Sequence, residues 1–96
     1  MFDLTRKELA ALNNTVTLLK ADAEASGRTI TDEVESRTAA ELAALFIGSQ
    51  VADMEGHHGE ERHAAAREHA AAALEGRQID PGAAVNFRAV LCRWIG

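Results

Sequence analysis

The chain has 96 residues, of which 47% are hydrophobic, but only four are aromatic and much of the remainder is alanine. That length fits one small helical domain spanning 1–96. The net charge of −5 comes with ten basic residues that nowhere cluster, which argues against direct nucleic-acid binding, because displacing counterions from phosphates needs grouped Lys and Arg.

The first helix is expected over roughly 4–26. "TRKE" (Thr5–Glu8) has the spacing of a capping box. Leu9, Leu12, Val16, Leu19 and Ala23 follow at alternating steps of three and four, a seam suited to a neighbouring helix. Asn13, Asn14, Thr15 and Thr17 are weak helix formers, so the middle of this helix must lean on tertiary packing. Gly27 suits a left-handed terminator.

A second helix is expected over roughly 31–55. Thr29 or Thr31 caps it, and Asp32, Glu33 and Glu35 lie in its first turns, where the helix dipole favours acids. It then turns apolar on every side through "LAALFI" (Leu42–Ile47), with Val51 and Met54 extending a stripe from Ile47. Such a helix sits at a bundle centre or in an oligomer interface. Gly48 and Ser49 allow a bend or a close helix crossing.

A third helix, roughly 60–75, contains "HAAAREHAAAAL". Its face of Ala66, Ala70, Ala73 and Leu74 permits close approach, and Gly76 ends it. The fourth, roughly 81–95, is announced by Asp80 as cap and Pro81 at the first helical position. It presents Ala84, Phe87, Leu91, Trp94 and Ile95. The expected fold is therefore all-α, a compact bundle of about four helices with short loops.

The stretch "DMEGHHGEERH" (Asp53–His63) gathers three histidines and four acids. Glu60-x-x-His63 has the spacing of half a carboxylate-bridged metal site in ferritin-like bundles. Glu35 or Glu41 from a neighbouring helix and a dimer partner would have to complete it, which keeps a metal-binding bundle as an alternative, but four consecutive polar positions (Glu60 to His63) place part of the run in water. The favoured reading is a solvated hinge, with no metal and no cofactor. Cys92 lies in "VLCRWI" and reads as a small buried hydrophobe. Nucleophile elbows, phosphate loops and dinucleotide fingerprints are lacking, so an enzyme is not expected. A lone cysteine fits a reducing compartment. The N-terminus lacks a signal-peptide pattern, and no apolar run approaches membrane-spanning length. A cytoplasmic location is expected.

"AEASGRTITDEVESR" (Ala23–Arg37) resembles the joint of ribbon-helix-helix DNA-binding proteins at Gly27, Arg28, Thr29 and Glu33. The resemblance covers about fifteen residues. It implies a dimeric regulator or antitoxin, with "FDLTR" (Phe2–Arg6) as its DNA-reading strand and a C-terminal extension that binds a toxin. In that alternative Asp3 stands where a groove-reading strand wants bases and amides.

The preferred function is a small acidic protein-interaction module, a bacterial or phage regulator, adaptor or inhibitor. Residues 31–60 carry seven acids against Arg37 alone, whereas 1–30 are balanced and 61–96 have a surplus of one base. Asp32, Glu33, Glu35, Glu41, Asp53 and Glu55 are thus the expected docking face for a partner with a basic surface. An alanine-rich core buries little, at about 0.8 kcal/mol per methylene. A homodimer is therefore expected, with Leu42, Leu45, Phe46, Ile47, Trp94 and Ile95 at its interface.

Overall fold

The computed structural model describes residues 4–96. They form five helices: α1 (Arg6–Ala25), α2 (Ile30–Glu35), α3 (Ala39–Met54), α4 (Gly59–Glu75) and α5 (Pro81–Ile95). No strand occurs among the described residues. α3 is the hub, flanked by α4, α5 and α1, while α2 packs on α1. The radius of gyration, 12.3 Å, matches the value of about 12.5 Å expected for a closely packed chain of this length.

Helix starts are set by short polar residues. Thr5 and Glu8 close a reciprocal capping box, with bonds of 3.1 and 3.2 Å. Thr29 accepts from Asp32 N at 3.1 Å, and Asp80 accepts from Ala83 N at 2.9 Å. The single helix expected over 31–55 is two. Thr38 caps α3, bonding Glu41 N at 3.1 Å, and Glu41 takes the Thr38 N–H at 2.9 Å. This second complete capping box outcompetes helix continuation through Ser36–Thr38, because it satisfies backbone donors that a fresh helix start leaves open.

The Glu41 carboxyl is held below its ordinary value of 4.5, chiefly by that backbone N–H; partial burial opposes the shift, while the Thr38 hydroxyl and the Arg37 charge assist it. A folded value below the unfolded one stabilises the protein fully above about pH 4.5, and that contribution vanishes as pH falls through the lowered value. Urea midpoints of wild type and Glu41→Gln should therefore converge between neutral pH and pH 3. A constant gap would show that the carboxylate charge contributes nothing.

Three helix ends, those of α1, α3 and α4, follow one pattern. After α1, Arg28 N reaches Ala23 O and Gly27 N reaches Glu24 O; His57 and Gly56 repeat this after α3, and Gln78 and Arg77 after α4. Each is a Schellman closure, which needs one left-handed residue. Gly27 (φ 67°) and Gly56 (φ 80°) supply it freely, but after α4 the position is Arg77, with φ 51°. A side chain there costs about 1–2 kcal/mol, partly offset by its lower unfolded-state entropy. Arg77→Gly should raise the melting temperature by a few degrees, about 4–8 °C per kcal/mol for a domain of this size. A lower melting temperature would refute the strain.

The core unites Leu12, Leu18, Leu19, Val34, Leu42, Ala44, Leu45, Ala52, Ala66, Ala70 and Leu91. On α1 the buried face is wider than the expected seam, because Asn14 and Thr15 are buried too. Asn14 Nδ2 donates to Ser49 Oγ at 3.1 Å, Thr15 Oγ1 donates to Ala11 O at 2.8 Å, and the Thr15 and Ser49 hydroxyls lie 3.4 Å apart. Buried polar groups are tolerable only when bonded in this way, so the weak helix formers of α1 lock it in register on α3. Beside Ser49, Gly48 brings α3 against the α4 backbone; a Cβ there would sit 2.1 Å from the Ala66 carbonyl oxygen.

Three apolar expectations are corrected. Met54 does not extend a buried stripe: it is the last residue of α3 and 79% exposed. Leu74 points away from the alanine face, leaving Ala66, Ala70 and Ala73 to pack alone, since close helix approach excludes a large side chain. Cys92 is exposed; Leu91 takes the buried position beside it.

Candidate functional site

The acidic band does not form an open face. Glu33 is only 3% exposed. Its carboxylate accepts from Arg37 Nε at 3.0 Å and forms an ion pair, without a hydrogen bond, with Arg28 Nη2 at 3.1 Å. Arg37 continues to Asp22 at 2.7 Å, and Asp22 also holds Arg67 at 3.0 Å. This network ties α1, α2 and α4 together. Burying a carboxylate is tolerable only with such pairing, so Glu33 is a structural group and not a docking residue.

The other expected docking acids divide. Glu41 closes the α3 cap. Asp53 pairs with Arg62. Glu55 pairs with His69 at 2.8 Å and His57 at 3.4 Å. Only Asp32 and Glu35 are exposed and without an ion pair among the described residues. The expected oligomer residues divide likewise. Leu42 and Leu45 are buried in the chain's own core, so they cannot form an interface. Phe46 stacks on Phe87, with ring centroids 4.7 Å apart. Ile47 is half-buried and Ile95 packs on the core. Trp94 is 39% exposed, and Val85 of the same helix 62%.

Among the described residues, no group of three or more His, Cys, Asp and Glu is placed to hold a metal ion. Glu60 is exposed and His63 half-buried, and nothing from another helix completes the pair. Nor does any helix reach the length and apolarity needed to cross a membrane. Of the stretch expected to be the DNA-reading strand, Phe2 and Asp3 lie outside the described residues. Thr5 and Arg6 are the cap and first residue of α1.

A cleft of about 540 Å³ lies where the start of α1, the end of α3 and the start of α4 meet. α1 contributes Arg6, Lys7 and Ala10; α3 contributes Gln50, Asp53 and Met54; the following turn and α4 contribute His57, His58 and Arg62. Three permanent cations therefore face one carboxylate, on a chain whose net charge is −5. Arg62 is fixed by Asp53 and by the Ala10 carbonyl at 3.5 Å. Arg6 and Lys7 have no ion pair among the described residues. His58 is the N-cap of α4 but makes no side-chain capping bond, so the first-turn amides of that helix are left for solvent or a ligand. A smaller cleft of about 360 Å³ adjoins across Arg62, lined by Asn13, Asn14, Thr17, Gly59 and His63.

The stretch around His57 is thus one wall of a cleft as well as a hinge. Its other wall, Arg6 and Lys7, gives no sign in the sequence. Some fifty residues separate the two walls, and only the packing of α1 and α4 against α3 brings them together. Fold and site together define a five-helix bundle bearing a cationic cleft. No protein family, no curated protein and no solved structure matches the chain.

Proposed function

We propose that this chain is a small protein-interaction module of regulator, adaptor or inhibitor type, acting in the cytoplasm, and that it engages its partner at the α1–α3–α4 cleft. The observation that carries this reading is the cleft itself. It places two cations, without an ion pair among the described residues, beside Met54, a large apolar side chain left 79% in water. Binding surfaces combine an apolar anchor with charges that set orientation in this way. The acidic band loses its place in the reading because four of its six acids, Glu33, Glu41, Asp53 and Glu55, serve the chain's own cations and helix caps. A homodimer remains part of the proposal, now resting on Val85 of α5, an apolar side chain 62% exposed.

The test is co-purification from the native host followed by mass spectrometry, comparing wild type with Lys7→Glu/Met54→Ser. Both positions are on the surface, so the fold should survive. A partner held by wild type and lost by the variant supports the reading. Identical partners for both, or none for either, would sink it. Sedimentation at rising concentration reads the dimer; a single monomeric species throughout would remove it.

A further inference from the structure

We infer that the α1–α3–α4 cleft recognises an acidic protein segment carrying an apolar anchor, a conclusion that rests on the interaction-module reading and specifies the partner's chemistry. The cleft surface is positive while the chain as a whole is negative: Arg6, Lys7 and Arg62 outnumber Asp53 in the lining, against a net charge of −5. A ligand drawn to it must be anionic but compact. A long polyanion would gain three cations locally and meet repulsion from the rest of the surface, so a nucleic acid is disfavoured. A bare inorganic anion is far smaller than 540 Å³, and it would leave Met54 and the alkyl stems of Arg6 and Lys7 without a partner. Two or three side chains of a peptide, carboxylates beside an aliphatic or aromatic group, match both the volume and the polarity.

The polar contacts divide by helix. Arg6 and Lys7 offer mobile cationic donors from α1. The turn between α3 and α4 adds the imidazoles of His57 and His58 to the same lining. Arg62 of α4, held by Asp53 and the Ala10 carbonyl, adds a fixed cation to the same lining. Met54 and Ala10 supply the apolar contact.

The experiment is fluorescence anisotropy on the full chain with short labelled peptides. The probes are an alternating glutamate–leucine peptide, a glutamate–serine peptide, a lysine–leucine peptide and competing inorganic phosphate. Wild type should bind the glutamate–leucine peptide best, at least about tenfold tighter than the other two, with affinity falling as salt rises. Arg6→Glu/Lys7→Glu should weaken that binding by about tenfold or more. Acids in the first turn of α1 favour the helix, so the loss cannot be assigned to unfolding. Lys20→Glu, a surface reversal outside the cleft lining, should leave binding intact. Equal binding by wild type and the double reversal would overturn the inference. So would equal binding of the leucine and serine peptides with displacement by phosphate, which defines a simple anion site. Self-association abolished by the same double reversal would also overturn it, making the occupant a second copy. Loss of a native partner from the cleft variant, with no affinity for any acidic peptide, would refute the peptide chemistry and leave the interaction reading standing.

Discussion

Gly48→Ala should lower the unfolding free energy by about 3 kcal/mol or more, beyond the usual overpacking range of about 1–3 kcal/mol. The new Cβ would lie 2.1 Å from the Ala66 carbonyl oxygen and 3.0 Å from the Ala70 nitrogen. Both are backbone atoms of α4, so no side-chain rotation relieves the overlap. Either the α3–α4 crossing opens or α4 shifts along its axis. Opposing this, Ala is favoured over Gly inside a helix by about 1 kcal/mol, too little to prevail. A domain of this size has about 5–14 kcal/mol in total. Gly48→Val, which adds more bulk and a β-branch at the same point, is therefore expected not to fold. Urea unfolding supplies the measurement and Gly82→Ala the control. At Gly82 a Cβ would meet only Asp80 Oδ2, at 3.4 Å, so that variant should match or exceed wild type. A wild-type midpoint for Gly48→Ala would mean that the two helices do not cross at this separation.

Arg37→Leu should cost about 3 kcal/mol, the scale of breaking a buried ion pair by removing one partner. Arg37 reaches Glu33 at 3.0 Å and Asp22 at 2.7 Å. Asp22 keeps Arg67, but Glu33, almost wholly buried, would keep only Arg28, whose side chain is 42% exposed. The cost therefore lies in the carboxylate left behind more than in the attraction lost. A second substitution separates the two. Glu33→Leu combined with Arg37→Leu removes the stranded charge and should recover most of the stability, since apolar replacement of a buried pair is often neutral or better. Additive losses in the double variant would show that Glu33 is hydrated and that the network is an ordinary surface one.

Much of the fold was legible along the chain. Thr5 with Glu8, Gly27, and Asp80 with Pro81 act on backbone groups within a few residues, so their spacing alone marks helix ends. The break before α3 was present in the same form, as Thr38 and Glu41. It was masked because the acids of α2 and the apolar run after Leu42 read as one uninterrupted helix. The burial of Asn14 and Thr15 on Ser49, the exposure of Cys92 and Met54, and the removal of Glu33 from the surface had no local signature. Each depends on which neighbour covers that side of the helix.

Local chemistry thus determined an all-α chain, most of its helix boundaries and its acidic balance, because caps and dipoles act within one turn. Tertiary structure decided what those residues face. It directed four of the seven acids of the middle third, Glu33, Glu41, Asp53 and Glu55, to the chain's own arginines, histidines and helix caps, and it brought Arg6 and Lys7 to Met54, His58 and Arg62. Contacts across fifty residues of sequence are set by how helices cross, and here that crossing turns on Gly48, the one glycine where a Cβ would meet the backbone of another helix.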